Sequence, residues 1–146
     1  ISLDEHHRRL SEHTGRPVKG IRDSFGDISF VDDEMVRLIR QLKGTYKIGL
    51  LSNSGTEYIG RIIDKYDLAP LFDVMTISSE VGIIKPDPRI FQHVLGELGV
   101  AADEAVFIDD SRRNTKPASE FGIKAFLYEG EVGALKKELA EAGIKV

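Results

Sequence analysis

Two periodicities alternate along this chain. Residues 33–42 set Met35, Val36, Leu38, Ile39 and Leu42 at helical spacing, which predicts an amphipathic helix closed by Gly44. Ile48, Gly49, Leu50 and Leu51 follow as an unbroken apolar run, the pattern of a strand buried on both faces. The same alternation then recurs. A helix over 56–66 leads to the strand Val74-Met75-Thr76-Ile77, which ends in Ser78-Ser79. A helix over 89–98, with Ile90, Phe91, Val94, Leu95 and Leu98 on one face, leads to Val106-Phe107-Ile108. A helix over 114–121 leads to Ala125-Phe126-Leu127-Tyr128, and a last helix spans 131–142. Strands separated by single helices predict an α/β fold, a Rossmann-like parallel sheet with right-handed crossovers and flanking helices.

Residues 1–31 follow another pattern. Ser2 with Glu5 three residues on starts a polar helix as a capping box, and Leu3 and Leu10 keep to one side of it. Gly15-Arg16-Pro17 breaks that helix, a second short one fits 18–25, and Gly26 releases the chain. So few large apolar residues imply that this segment packs against something else. His6, His7 and His13 lie on its polar helix and read as solvated. The boundary falls near 26–32, giving a small helical piece over 1–31 and an α/β core over 32–146. Asp32-Asp33, just before an apolar-periodic run, reads as a helix N-cap.

Composition narrows the function classes. The net charge is −4, from 20 basic and 24 acidic residues, so no basic surplus points to nucleic acid and no arginine-rich run to a membrane surface. Cysteine is absent. That excludes disulfides, zinc–thiolate sites and thiol nucleophiles, and it fits a cytoplasmic protein. No apolar run is long enough to span a bilayer. The chain opens on Ile1 and carries its only methionines at Met35 and Met75, which leads us to expect a truncated form of something longer.

The candidate chemistry sits at the strand ends, where open α/β sheets bind ligands. The first strand ends in Ser52-Asn53, Lys85 follows the second, and the third delivers Asp109-Asp110. Taken singly, each has a bland reading: a serine cap, a solvated lysine before proline, a strand ending in a turn. Together they suit a phosphoryl group. A hydroxyl and backbone N–H groups hold phosphate oxygens, with the positive end of the helix after Gly55 nearby. Lysine neutralises charge, and paired acids call for a hard cation such as Mg2+ between them. Gly55 to Gly60 does not continue into Gly-Lys-Ser/Thr, so no P-loop is present. Arg112-Arg113 reads as solvated surface.

The motifs Leu50-Leu51-Ser52-Asn53, Gly82-Ile83-Ile84-Lys85-Pro86-Asp87-Pro88-Arg89-Ile90-Phe91 and Phe107-Ile108-Asp109-Asp110-Ser111-Arg112-Arg113-Asn114 resemble the haloacid dehalogenase-like hydrolases, in particular the small-molecule phosphatase branch with a helical cap inserted near the N-terminus. Residues 114–123 fit that branch too. The resemblance implies that residues 1–31 are part of the cap. It implies that Ser52 binds the transferring phosphoryl group, with Asn53 adding its backbone N–H, and that Lys85 stabilises an aspartyl-phosphate. Asp109 and Asp110 would position Mg2+ directly or through water. The implied activity is Mg2+-dependent hydrolysis of a small phosphorylated metabolite.

The family's first motif, a strand followed by Asp-x-Asp that supplies the nucleophile and the general acid/base, has no match upstream of Ser52. In the family that strand lies between the Asp109 and Ser52 strands. The chain is therefore expected to hold the phosphate and metal halves of a site without its nucleophile, and to be inactive in this form. A partner strand or a second copy would have to complete the sheet. Two alternatives stay open: a non-catalytic phosphate-binding or regulatory relative, and a 2-haloacid dehalogenase, whose chemistry does not need the acidic pair. A signalling receiver domain also gathers acids, a hydroxyl and a lysine, but its acidic pair ends the first strand, whereas here it follows both serine and lysine.

Overall fold

In the computed structural model, the structure describes residues 31–146; the expected cap over 1–31, including its histidines, lies outside them apart from Val31. Asp32 is a helix N-cap, as its place before the apolar-periodic run predicts. Its side chain accepts hydrogen bonds from the N–H groups of Glu34 (2.9 Å) and Met35 (3.1 Å), capping helix α1 (Asp33–Lys43). Acids Asp33 and Glu34 open this helix, and Arg40 and Lys43 close it, each complementing the helix dipole.

Strand β1 (Gly49–Ser52) pairs in parallel with β2 (Val74–Ile77), in the register Gly49↔Val74 through Ser52↔Ile77. Helix α2 (Thr56–Lys65) makes the crossover. Asp73 fixes where the pairing begins: it accepts the Ile48 N–H at 2.7 Å and receives the Lys43 ammonium at 2.6 Å. Strand β3 (Val106–Asp109) pairs in parallel with β4 (Lys124–Leu127) through helix α5 (Arg112–Phe121), with Val106↔Lys124 through Asp109↔Leu127. Between the two pairs lie a single helical turn, α3 (Ser78–Val81), and helix α4 (Pro88–Leu98). Helix α6 (Val132–Glu141) ends the fold.

Among the described residues no backbone ladder joins β1 to β3. The two pairs nevertheless belong to one layer, because helices on both faces pack against both of them. On one face Leu38 and Leu42 of α1 and Leu135 and Leu139 of α6 pack with Ile48 from the start of β1, with Ile108 of β3 and with Phe126 of β4. On the other face Ile90, Phe91 and Leu95 of α4 and Ala118 of α5 gather Leu51, Phe107 and Ala125. Ile48 and Leu51, like Phe107 and Ile108, go to opposite faces because side chains alternate along a strand. Gly49 is small where α4 comes close: a Cβ there would sit 3.2 Å from Leu98 Cδ1. A third cluster, Ile63, Leu68 and Leu71, closes α2 against Val36, Ile39 and Leu50.

The elements predicted over residues 33–142 appear with ends moved by a residue or two. Two details differ. Ser78-Ser79, expected to finish a strand, starts α3 instead, and α5 begins at Arg112 rather than at residue 114. Both shifts place polar groups at helix starts beside the strand ends, where they can bond tertiary neighbours.

Candidate active site

The sheet order brings the predicted strand ends together through Lys85. The loop carrying it leaves α3 at Gly82, whose φ of 73° is a left-handed conformation that glycine adopts without strain. It re-enters a helix at Asp87, which caps α4 by accepting the Arg89 N–H at 3.0 Å. The hydrogen bond and charge of Arg89 hold the Asp87 carboxyl down at about 2.

Asn53, just past β1, grips the backbone of Lys85 from both sides. Its Oδ1 accepts the Lys85 N–H at 2.8 Å, and its Nδ2 donates to the Lys85 carbonyl at 3.0 Å. The lysine then reaches across to β3, where Nζ lies 2.5 Å from Asp109 Oδ2. The pair is shielded, with side chains 10% and 6% exposed. The Phe107 ring lies beneath the ammonium at 5.6 Å. The other Asp109 oxygen accepts the Ser111 N–H at 2.9 Å and Asn114 Nδ2 at 3.0 Å.

Ser52 is half-buried at the end of β1. Its Oγ accepts the Ser54 N–H at 3.1 Å. A hydroxyl has one donor and two acceptor positions, so this bond occupies an acceptor and leaves the O–H to donate elsewhere. Gly55 cannot cap α2 with a side chain, and Ser79 does so from α3: its Oγ accepts the Thr56 N–H at 3.0 Å and shares a 2.8 Å hydrogen bond with Thr56 Oγ1.

The acidic pair is asymmetric. Two neighbouring carboxylates were expected to need a cation between them, yet Asp109 already has an ammonium on one oxygen and two N–H donors on the other. Asp110 is exposed, with no ion pair among the described residues. Mg2+ takes one or two protein carboxylates and fills its remaining positions with water and phosphate oxygens. Asp110 fits that donor set, and Asp109 fits it at one remove. Among the described residues no three acidic, histidine or cysteine side chains gather into a fuller metal site.

Asn53, Lys85 and Asp109 are thus joined by direct contacts at the C-terminal ends of β1 and β3, with Ser52 and Asp110 next to them in the chain. Asn114, a residue whose place in the sequence alone assigns it no role, joins them through Asp109. The available signal was an asparagine in the first turn of the helix that follows the acidic strand end, where a short amide reaches back to the strand. Arg112 lines a shallow groove with Lys116, Ser119 and Leu127, along α5 and β4. No helix among the described residues is long and apolar enough to cross a membrane.

Known proteins resemble this chain in sequence and in fold. Flavin mononucleotide hydrolase 1 of Arabidopsis thaliana is 36% identical over 85 residues, which cover 58% of this chain and 34% of that protein. The sesquiterpene phosphatase AstK of Aspergillus oryzae is 27% identical over 127 residues, covering 84% and 65%. The chain therefore spans less than two thirds of each of these relatives. A haloacid dehalogenase family enzyme from Bacteroides thetaiotaomicron, solved with magnesium and inorganic phosphate, superposes with a TM-score of 0.72 at 26% identity, over 90% of this chain and 71% of that one. The family model for haloacid dehalogenase-like hydrolases matches residues 5–122. With the parallel strand pairs and the site they present, that match settles the family: the chain belongs to the haloacid dehalogenase-like hydrolases.

Proposed function

We propose that the site transfers a phosphoryl group, and that the protein in its complete form is a Mg2+-dependent phosphatase of a small phosphorylated metabolite working through an aspartyl-phosphate. The observation that carries this reading is the shielded Lys85–Asp109 pair, tied to the Ser52-Asn53 strand end and flanked by exposed Asp110. The Ser52 O–H would donate to a phosphoryl oxygen, with the Asn53 N–H and the N-terminus of α2 beside it. Lys85 would offset charge building on that oxygen. Asp110 would hold Mg2+, and Asp109 would steady it through water. Bound there, the metal would supply a Lewis-acidic centre that withdraws charge from the phosphoryl oxygens.

Attack would come from a carboxylate on an Asp-x-Asp segment, a motif that occurs nowhere in these 146 residues. A strand carrying it would take the edges that β1 and β3 leave outside any ladder among the described residues. That strand would come from the same chain, a second copy or another protein.

The test is phosphate release from a panel of small phosphate monoesters by the native protein, with and without Mg2+ and with its intact mass recorded. Mg2+-dependent release that is lost in Lys85→Ala and in Asp110→Ala is the expected result. Undiminished turnover in both variants overturns the assignment. Stabilisation by inorganic phosphate without turnover, at the 16.2 kDa of this sequence, marks a binding relative instead. The family takes its name from dehalogenation, and halide release from a 2-haloacid without metal would select that chemistry.

A further inference from the structure

We propose that Asn53 is a positioning residue for Lys85, holding the lysine's backbone so that its ammonium is delivered to Asp109. The proposal rests on the phosphoryl-transfer reading for its kinetic consequence, though not for its structural content. Lys85 sits in the loop between Gly82 and Asp87, where no helix or strand ladder pairs its backbone. The Asn53 amide supplies that pairing, accepting the Lys85 N–H and donating to the Lys85 carbonyl, as a neighbouring strand would. Only a primary amide of this length offers an acceptor and a donor side by side. Aspartate keeps the acceptor but sets a second oxygen against the carbonyl, and alanine offers neither.

The other end of the lysine is equally defined. Asp109 receives the ammonium and is itself held by the Ser111 N–H and Asn114 Nδ2. A lysine side chain has four rotatable bonds, so anchoring the ammonium alone leaves its origin free to drift. Fixing both ends locates the charge. It also links β1 to β3, which share no ladder among the described residues. The Asn53 amide thereby commits its Oδ1 and one Nδ2–H to Lys85, leaving its backbone N–H and the second Nδ2–H to meet a phosphate oxygen.

The test reads lysine Nζ and Cε resonances in 13C,15N-lysine-labelled protein, with the Lys85 signal identified by its loss in Lys85→Arg. Lys43, which pairs with Asp73 at 2.6 Å away from the site, is the internal control. In Asn53→Ala the Lys85 signal is expected to move to the position of exposed lysines while that of Lys43 stays. Asn53→Asp, keeping one of the two bonds, should fall between. In turnover-competent protein Asn53→Ala should lower kcat about 100-fold with KM within a few-fold, and should add nothing in a Lys85→Met background. An unmoved Lys85 signal overturns the proposal, and so does a Lys85 signal that moves together with that of Lys43. If the protein hydrolyses no phosphate ester, the phosphatase reading fails and the resonances still decide the role of Asn53.

Discussion

Lys85 and Asp109 form a shielded ion pair, Nζ to Oδ2 at 2.5 Å, that bridges two strand pairs with no ladder between them among the described residues. Removing one partner of such a pair strands the other charge away from water, and this costs more than the pair itself contributes. Lys85→Met should therefore lower stability by about 3–5 kcal/mol, read from chemical denaturation midpoints. Lys85→Met with Asp109→Asn should recover most of that loss. The asparagine still accepts from Ser111 and Asn114 but leaves no unpaired charge. A double variant no more stable than the single one would show that the pair holds the fold by attraction rather than by mutual neutralisation.

Phe91 fixes β3 to the α4 layer. It is fully buried, and the Phe107 ring meets it edge-on at 5.5 Å and 74°, with Phe121 at 6.0 Å. Phe91→Ala should cost about 3–5 kcal/mol. Because Phe107 also lies under the Lys85 ammonium, the Lys85 resonance should shift in this variant as well. A stable Phe91→Ala protein with an unmoved Lys85 signal would separate the core from the site.

Thr76 on β2 is 1% exposed, beside Leu51 in register, and its hydroxyl has no hydrogen-bond partner among the described residues. Valine has the same shape without the group that needs a partner. Thr76→Val should leave stability unchanged or raise it by about 1 kcal/mol. Thr76→Ser, which keeps the hydroxyl and deletes a methyl, should lower it by about 1 kcal/mol. Destabilisation by valine would mean that the hydroxyl has an acceptor in solution.

The strands were legible because each is an apolar run too short for a helix and bounded by turn residues. The helices were legible because Leu38 with Leu42, and Ile90 with Phe91, Val94 and Leu95, recur at helical spacing. The site residues could be placed at strand ends by the same logic. What each one touches could not. Lys85 and Asp109 were read as separate tools, one for phosphate and one for metal, and their contact depends on where a loop of irregular backbone crosses the sheet edge. Ser79 looked like the end of a strand because its service as a cap for α2 comes from a helix more than twenty residues away in sequence. Such pairings are tertiary, and neither periodicity nor propensity encodes them.

Asp32 ties the start of α1 to the end of β4. One carboxylate oxygen caps the helix, and the other accepts the Tyr128 hydroxyl. That hydrogen bond pushes the Tyr128 phenol up from 10.0 to about 12 and holds Asp32 below its usual range. The signs follow from linkage. A phenol harder to ionise when folded contributes stability that is whole below pH 10 and is lost as pH rises through 12. A carboxyl easier to ionise when folded contributes stability that is whole above 3.8 and is lost as pH falls through its depressed value. Between pH 10 and 12, wild-type protein should therefore lose stability more steeply than Tyr128→Phe. Lysines discharge over the same range in both proteins, so the difference isolates the tyrosine. Of the four tyrosines, one should develop its tyrosinate absorbance late in the folded wild type, and that late component should vanish in Tyr128→Phe. Parallel stability curves with no late component would show that the phenol does not bond Asp32 in solution.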